Sequence, residues 1–417
     1  VSLLEKLSDQ KVLKGAWLKL HKNPSSYGID EITIDEFRDN LERELSKLSI
    51  QIKSGNYSPK ELRGHPLEKG KNKASDADKK QYRLLKIPTV RDRVVQKAIE
   101  MLVYEYLDAY YGLTNNGVSY AYVKEGSVES AVKKIQAYHK EGCFWVYSSD
   151  IISFFDQVEK KLLLSKISCA LPDDSLLEII ELFLNIDVNN KKEIEERTRE
   201  EYKYNPTVGV AQGSPLSPLF ANVYLADLDK SATSSSIRMV RYADDIVIMC
   251  KSKSEAESAH VFLESELNKI GLSIHSILVQ GDLPVDGHEK HSKVQKYSSL
   301  TFLGLSFRGD KVYPSGKSYQ NAIFTVRRAA QNRKLTFTQK LISINLRVQG
   351  WCSAYSFADM IQDSVKKNDK LLEDILTKML RQHNLKTTHK ITASDALGIN
   401  GYKSRIDRLK ISRAKTD

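Results

Sequence analysis

Cysteine is scarce in this chain of 417 residues, which holds four. Cys143, Cys169, Cys250 and Cys352 stand far apart with no CxxC pair, so neither a disulfide framework nor a thiolate zinc site is expected, and a reducing cytoplasm suits them best. Long apolar runs are missing too. None could span a bilayer and no signal peptide is legible, although the chain opens at Val1 rather than Met, so secretion and a membrane partner are not expected. Acidic residues are outnumbered: 53 Asp and Glu against 64 Lys and Arg leave a net charge of +11, which suits a polyanionic partner but also many ordinary basic proteins. The length excludes a small stapled protein and predicts two or three subdomains around a large core.

What is present centres on Tyr242-Ala243-Asp244-Asp245, set between the apolar runs Met239-Val240 and Ile246-Val247-Ile248-Met249. The pattern predicts two short strands joined by a tight turn with both acids at its tip. Adjacent carboxylates repel, so a cation is one reading and a solvated hairpin edge the other. A third acid decides between them. Asp150 ends the strand-like run Phe144-Trp145-Val146-Tyr147-Ser148-Ser149 and is followed by Ile151-Ile152-Ser153-Phe154-Phe155-Asp156.

An acid closing an apolar strand, with an aromatic residue five positions on, resembles the first metal-binding motif of reverse transcriptases. Between the acidic motifs lies Val210-Ala211-Gln212-Gly213-Ser214-Pro215-Leu216-Ser217-Pro218, and the three occur in that family's order. The series is similar to the group II intron-like reverse transcriptases of bacteria and runs from about Asn23 to about Asp359. The resemblance implies an α+β fold, a right-hand polymerase with fingers, a palm of antiparallel sheet backed by helices, and a helical thumb. The expected divisions are an N-terminal extension with fingers at 1–125, the palm at 126–310, the thumb at 311–385 and a basic tail at 386–417.

Residue by residue, the resemblance gives Asp150, Asp244 and Asp245 the catalytic role, holding two Mg2+ ions (with Mn2+ as a substitute) about 4 Å apart together with the Ile151 carbonyl. Arg83, in Tyr82-Arg83-Leu84-Leu85-Lys86-Ile87-Pro88, corresponds to the arginine that grips the incoming triphosphate; the partner lysine is ambiguous between Lys79, Lys80 and others. Phe155 stands where a bulky ring excludes the ribonucleotide 2′-hydroxyl, and Gln212 and Gly213 match residues facing the nucleotide and the template base. Leu303 and Gly304 fall in the hairpin that grips the primer end. Three departures stand out: Ala121 where the family has Gly, Val123 where it has Arg, and Leu278 where it has the lysine thought to protonate pyrophosphate. His275, a lysine of the 281–299 insertion, or water would then supply that proton.

Elsewhere the pattern predicts helix from Val1 to Leu20, from Ile34 to Ile52, after Val128, from Lys160 to Ile186, from Ser254 to Ile270 and from Val365 to Leu380, with 187–206 as an exposed hairpin or loop. The lysine-rich 64–80 segment reads as a finger loop, either solvated or facing phosphates. Lys403, Arg405, Arg408 and Lys410 are RNA-binding candidates.

The function expected is RNA-directed DNA synthesis in the bacterial cytoplasm, from dNTPs and template RNA to a DNA product, with a homo-oligomer left open. Because little chain follows the thumb, a stand-alone enzyme is expected, working on a dedicated structured noncoding RNA in phage defence. The alternatives are an intron-derived splicing cofactor, a CRISPR-associated reverse transcriptase and an untemplated polymerase.

Overall fold

The computed structural model describes residues 1–20, 27–68, 82–277, 291–383 and 392–413. The chain divides into two compact units, Val1–Val294 and Gln295–Asp417.

In the first unit the central element is the helix Val90–Tyr111. Thr89 caps its start by accepting from the Asp92 N–H, and Gly112, at φ 63°, ends it in the left-handed conformation that only glycine adopts cheaply. Val94, Val95, Ala98, Ile99, Val103 and Leu107 on this helix are buried, and the N-terminal helices pack against them. Asp92 is buried as well, but its carboxylate accepts from Tyr57 Oη at 2.7 Å, Lys60 N at 3.0 Å and Thr89 Oγ1 at 2.7 Å. A fully partnered carboxylate carries little penalty for burial.

Several expected helices are broken. Val1–Leu20 is two helices, Leu3–Ser8 and Gln10–Leu20, because Asp9 adopts an extended backbone between them. The 34–52 stretch splits at Asn40 into Ile34–Asp39 and Leu41–Lys53. Residues 160–186 form Lys160–Ala170 and Leu177–Leu184. The reading of 187–206 as hairpin or loop is corrected, since Lys191–Thr198 is helical. Its Ile194 is buried with Leu62 and Val188, and Lys191 pairs with Asp187 one turn away at 2.6 Å. One buried side chain among polar neighbours was too weak a periodic signal to predict this helix.

Two sheets occupy the first unit. A two-stranded antiparallel ribbon joins β1 (Arg63–Glu68) to β2 (Tyr82–Ile87). A four-stranded sheet has the order β4 (Met239–Tyr242), β5 (Asp245–Cys250), β3 (Trp145–Asp150), β6 (Lys293–Lys296), the last lying where the chain passes from one unit to the other. β3 and β4 both run antiparallel to β5, whose residues from Ile246 to Cys250 are all buried. Helices Val128–Lys140, Ser217–Ser234 and Lys253–Asn268 back the sheet and share its core.

The second unit opens with the antiparallel strands β7 (Thr301–Phe302), β8 (Leu305–Arg308) and β9 (Lys311–Pro314). Helices Gly316–Gln331, Phe337–Ala354 and Gln362–Gln382 follow, with Val326, Ile344, Val348, Leu372 and Leu376 in a core of their own. Tyr402 and Ile406, in the basic C-terminal stretch, are buried in that same core. No helix of the described residues is long and apolar enough to cross a membrane.

Candidate active site

The ladder between β3 and β5 places Asp150 opposite Asp245, and the β4–β5 pairing closes at Tyr242 opposite Asp245. Ala243 and Asp244 are therefore the two residues of a hairpin turn. Ala243 has φ 59°, the positive first position that lets a two-residue turn follow the twist of its strands. The Ile151 N–H donates to the Asp244 carbonyl at 3.2 Å, and Ile152 N–H to the Ser273 carbonyl at 2.9 Å. Three acids thus converge at adjoining strand ends from two segments almost a hundred residues apart. Asp244 is half-buried and Asp245 exposed. His275 stands on the same rim, its Nε2 4.0 Å from Asp150 Oδ1, because Ile274 bridges antiparallel to Ile151.

Three carboxylates and a nearby backbone carbonyl are hard oxygen donors, the donor chemistry of Mg2+ and Mn2+. As the side chains stand, no group of three His, Cys, Asp or Glu among the described residues is arranged as a metal site. The fit to divalent cations is therefore one of donor type and backbone convergence. Such cations, when bound, would stabilise charge on a transferring phosphoryl group.

Around the acids the remaining predicted residues fall on distinct elements. Phe155 lies in the short helix Phe154–Gln157, half-buried, its ring edge-on to Phe154 at 5.2 Å. The Phe155 carbonyl accepts from Val210 N–H at 2.8 Å, which lays the stretch before Gln212 against this helix. The Gln212 carbonyl accepts from Lys86 N–H at 2.8 Å, so the Gln212-Gly213 turn rests on β2. Gly213 has φ 124°, and a Cβ there would lie 2.9 Å from the Lys86 carbonyl oxygen. Arg83 is exposed on β2.

Tyr122, about half exposed (49%), is a further ionisable group near the acidic turn. Its phenol is held above the ordinary tyrosine range, first by burial and then by the charges of Asp244 and Tyr242, with Arg83 opposing. Its φ of 59° is unusual for a bulky side chain.

A second polar region adjoins β2. A cavity of about 190 Å³ is lined by Lys86, Lys160, Tyr202, Tyr204 and Gly209 among others. Lys160 is buried and donates to Tyr204 Oη at 3.2 Å. Burial, then the neighbouring Lys86, pulls its ammonium down to about 8.

Leu303 and Gly304 belong to the second unit and form the β7–β8 turn, both with positive φ (50° and 77°). Lys403 is exposed. Arg405 is engaged within the fold, donating from Nε to the Asn400 carbonyl at 3.0 Å and from Nη2 to Asn345. The side chains of Arg408 and Lys410, and Lys79, Lys80 and Leu278, lie outside the described residues.

Comparison with known proteins finds named relatives. Group II intron-encoded protein LtrA of Lactococcus lactis subsp. cremoris is 30% identical over 211 residues, which cover 50% of this chain and 31% of LtrA. Protein YkfC of Escherichia coli (strain K12) is 26% identical over 217 residues, 50% of each chain. The chain thus spans half or less of the length of these curated relatives. Among solved structures, a chain of a partial Cas6-RT-Cas1–Cas2 complex is 27% identical with a TM-score of 0.39, covering 65% of this chain and 42% of that one. Residues 69–307, more than half of the chain, match the family model described as reverse transcriptase (RNA-dependent DNA polymerase), and the chain belongs to that family.

Proposed function

We propose that this chain is an RNA-directed DNA polymerase that extends a 3′-hydroxyl with deoxynucleotides. The observation that carries the reading is the convergence of Asp150, Asp244 and Asp245 at adjoining strand ends. Divalent metal ions are general to the family. Here the three carboxylates, with the Ile151 carbonyl, are the groups to hold Mg2+, or Mn2+ in its place, and so to offset charge on the reacting phosphates. Arg83, exposed on β2, is suited to the triphosphate. Phe155 serves as the wall beside the sugar, while Gln212 and Gly213, seated on β2, shape the floor of the nucleotide site. The Leu303-Gly304 turn is assigned to the primer end. His275, beside Asp150, is the candidate to pass a proton to pyrophosphate.

The test is extension of a primed RNA template by purified protein with Mg2+ and four deoxynucleotides, the product then being sequenced. Asp244→Ala with Asp245→Ala is expected to abolish extension while the far-UV circular dichroism and melting temperature stay close to wild type. Extension by that folded double variant would overturn the assignment.

The host role we infer is synthesis on a dedicated structured noncoding RNA in phage defence; the excess of basic residues supports the nucleic-acid partner in that reading, not defence itself. Sequencing nucleic acid recovered with the protein from its host tests this. A single recurrent RNA with complementary DNA, and phage sensitivity of the double variant, are expected; an intron RNA would refute it.

A further inference from the structure

Immediately before the acidic turn stands Arg241, whose side chain is wholly buried (0% exposed) beside a buried Asp229 (3%). Its Nε donates to Asp229 Oδ1 at 2.8 Å and its Nη2 to Asp229 Oδ2. Nη1 donates to Asn222 Oδ1 at 3.1 Å and to the carbonyl of Ala243 at 3.1 Å. Asp229 and Asn222 both lie on the helix Ser217–Ser234. Asn222 in turn donates from Nδ2 to the Ala121 carbonyl at 2.8 Å, and Asn116 Nδ2 donates to Asp229 Oδ2 at 3.3 Å. The backbone of Arg241 is tied on its other side, its N–H to the Val118 carbonyl at 2.8 Å and its carbonyl to Tyr120 N–H at 3.0 Å.

Stability gives little reason for such an arrangement. Taking a guanidinium and a carboxylate out of water costs about as much as their attraction returns, and an apolar pair of similar volume would hold helix to strand at least as well. What an apolar pair cannot do is donate to a carbonyl. The one backbone group of the turn that Arg241 grips belongs to Ala243, the left-handed residue directly before Asp244. A non-glycine residue persists in that conformation only when its surroundings over-determine it. Through Asn222, the same network also holds the carbonyl of Ala121, directly before the left-handed Tyr122.

We propose that Arg241 is a positioning residue: clamped by Asp229 and Asn222, it fixes the Ala243 carbonyl and thereby the backbone from which Asp244 and Asp245 present their carboxylates. It touches none of the reacting groups itself. The kinetic part of its test rests on the polymerase reading above, and the metal-binding part does not.

Removing Arg241 alone strands a buried Asp229, so Arg241→Met is paired with Asp229→Asn to remove both charges, and Arg241→Lys serves as the second variant. The full chain is followed by thermal melting, by the electron paramagnetic resonance signal of free Mn2+ as a measure of binding, and by primer extension. The paired variant is expected to melt within a few degrees of wild type, yet to bind Mn2+ more weakly and to lose about ten- to a hundredfold in kcat with KM little changed, the size of effect expected of a small misplacement of reacting groups. Arg241→Lys, with one head group for four acceptor atoms, is expected to shift the same readouts by less. Wild-type Mn2+ binding and kcat in a folded paired variant would show a purely structural residue and overturn the proposal. The same result in Arg241→Lys would overturn it should the pair fail to fold. A wild-type protein that binds Mn2+ but extends no primer would refute the polymerase reading, and the Mn2+ arm would still judge Arg241.

Discussion

Replacing Gly213 by alanine tests how the proposed nucleotide floor is built. The residue has φ 124°, a region that L residues rarely adopt, and the new Cβ would lie 2.9 Å from the Lys86 carbonyl oxygen. That oxygen cannot retreat easily, because Lys86 N–H is bonded to the Gln212 carbonyl and Lys86 is paired with Gly64 across β1 and β2. Backbone strain of this kind costs about 1–3 kcal/mol. The contact adds to it, and the smaller conformational entropy of the unfolded alanine chain returns about 0.4–1 kcal/mol. The net loss is expected near ~2 kcal/mol, or a fall of roughly 4 °C in melting temperature for a unit of this size. Gly55→Ala is the control, since Gly55 also has positive φ (71°) but no atom within 4 Å of the added methyl, and should lose only about 1 kcal/mol. Urea melts of the full chain give the stabilities, and KM for deoxynucleotides in primer extension should rise in Gly213→Ala alone. Equal stability and equal KM in the two variants would refute the claim that the Lys86 carbonyl sets the Gln212-Gly213 turn.

On the proposed reading, Phe155→Val opens space beside the sugar without disturbing the Phe155 carbonyl that receives Val210 N–H. Ribonucleotide use relative to deoxynucleotide use should rise about tenfold or more, and an unchanged ratio would mean that another side chain is the gate. Lys160→Met tests the buried ammonium. Its folded value near 8 lies below the ordinary lysine value of 10.5, so the unfolded chain binds more protons between these limits and wild-type stability should gain from this group as pH rises through that window. The methionine variant should be more stable at pH 7 by roughly 1–2 kcal/mol, allowing for solvent screening. The gap should close by about pH 10.5 in urea melts, and a pH-independent difference would exclude deprotonation of Lys160 as its cause.

The elements flanking the acids were legible because their chemistry is local. Short apolar, β-prone runs on both sides of an Asp-Asp pair read as a hairpin, and an acid ending Trp145–Ser149 reads as a strand end. Helix breaks at Asp9 and Asn40 were not legible, since polar residues stand at many positions of these stretches that remain helical. That Tyr122 lies near Asp244 and Arg83 was not legible either, since those residues come from elements far from it in sequence.

By itself the sequence determined the kinds of group available: three carboxylates, an arginine at position 83, a phenylalanine at 155 and a Gln-Gly pair, in an order that marks the family. Tertiary structure decided which of them meet. Register places Asp150 opposite Asp245, and a one-residue slip would have turned Asp150 to the other face of the sheet. The network around Arg241 joins residues 116, 121, 222, 229 and 243. No periodicity reveals such a network. A buried charge finds its partners through the packing of helix on sheet, and those partners are chosen by proximity in space and the need to satisfy every polar atom removed from water.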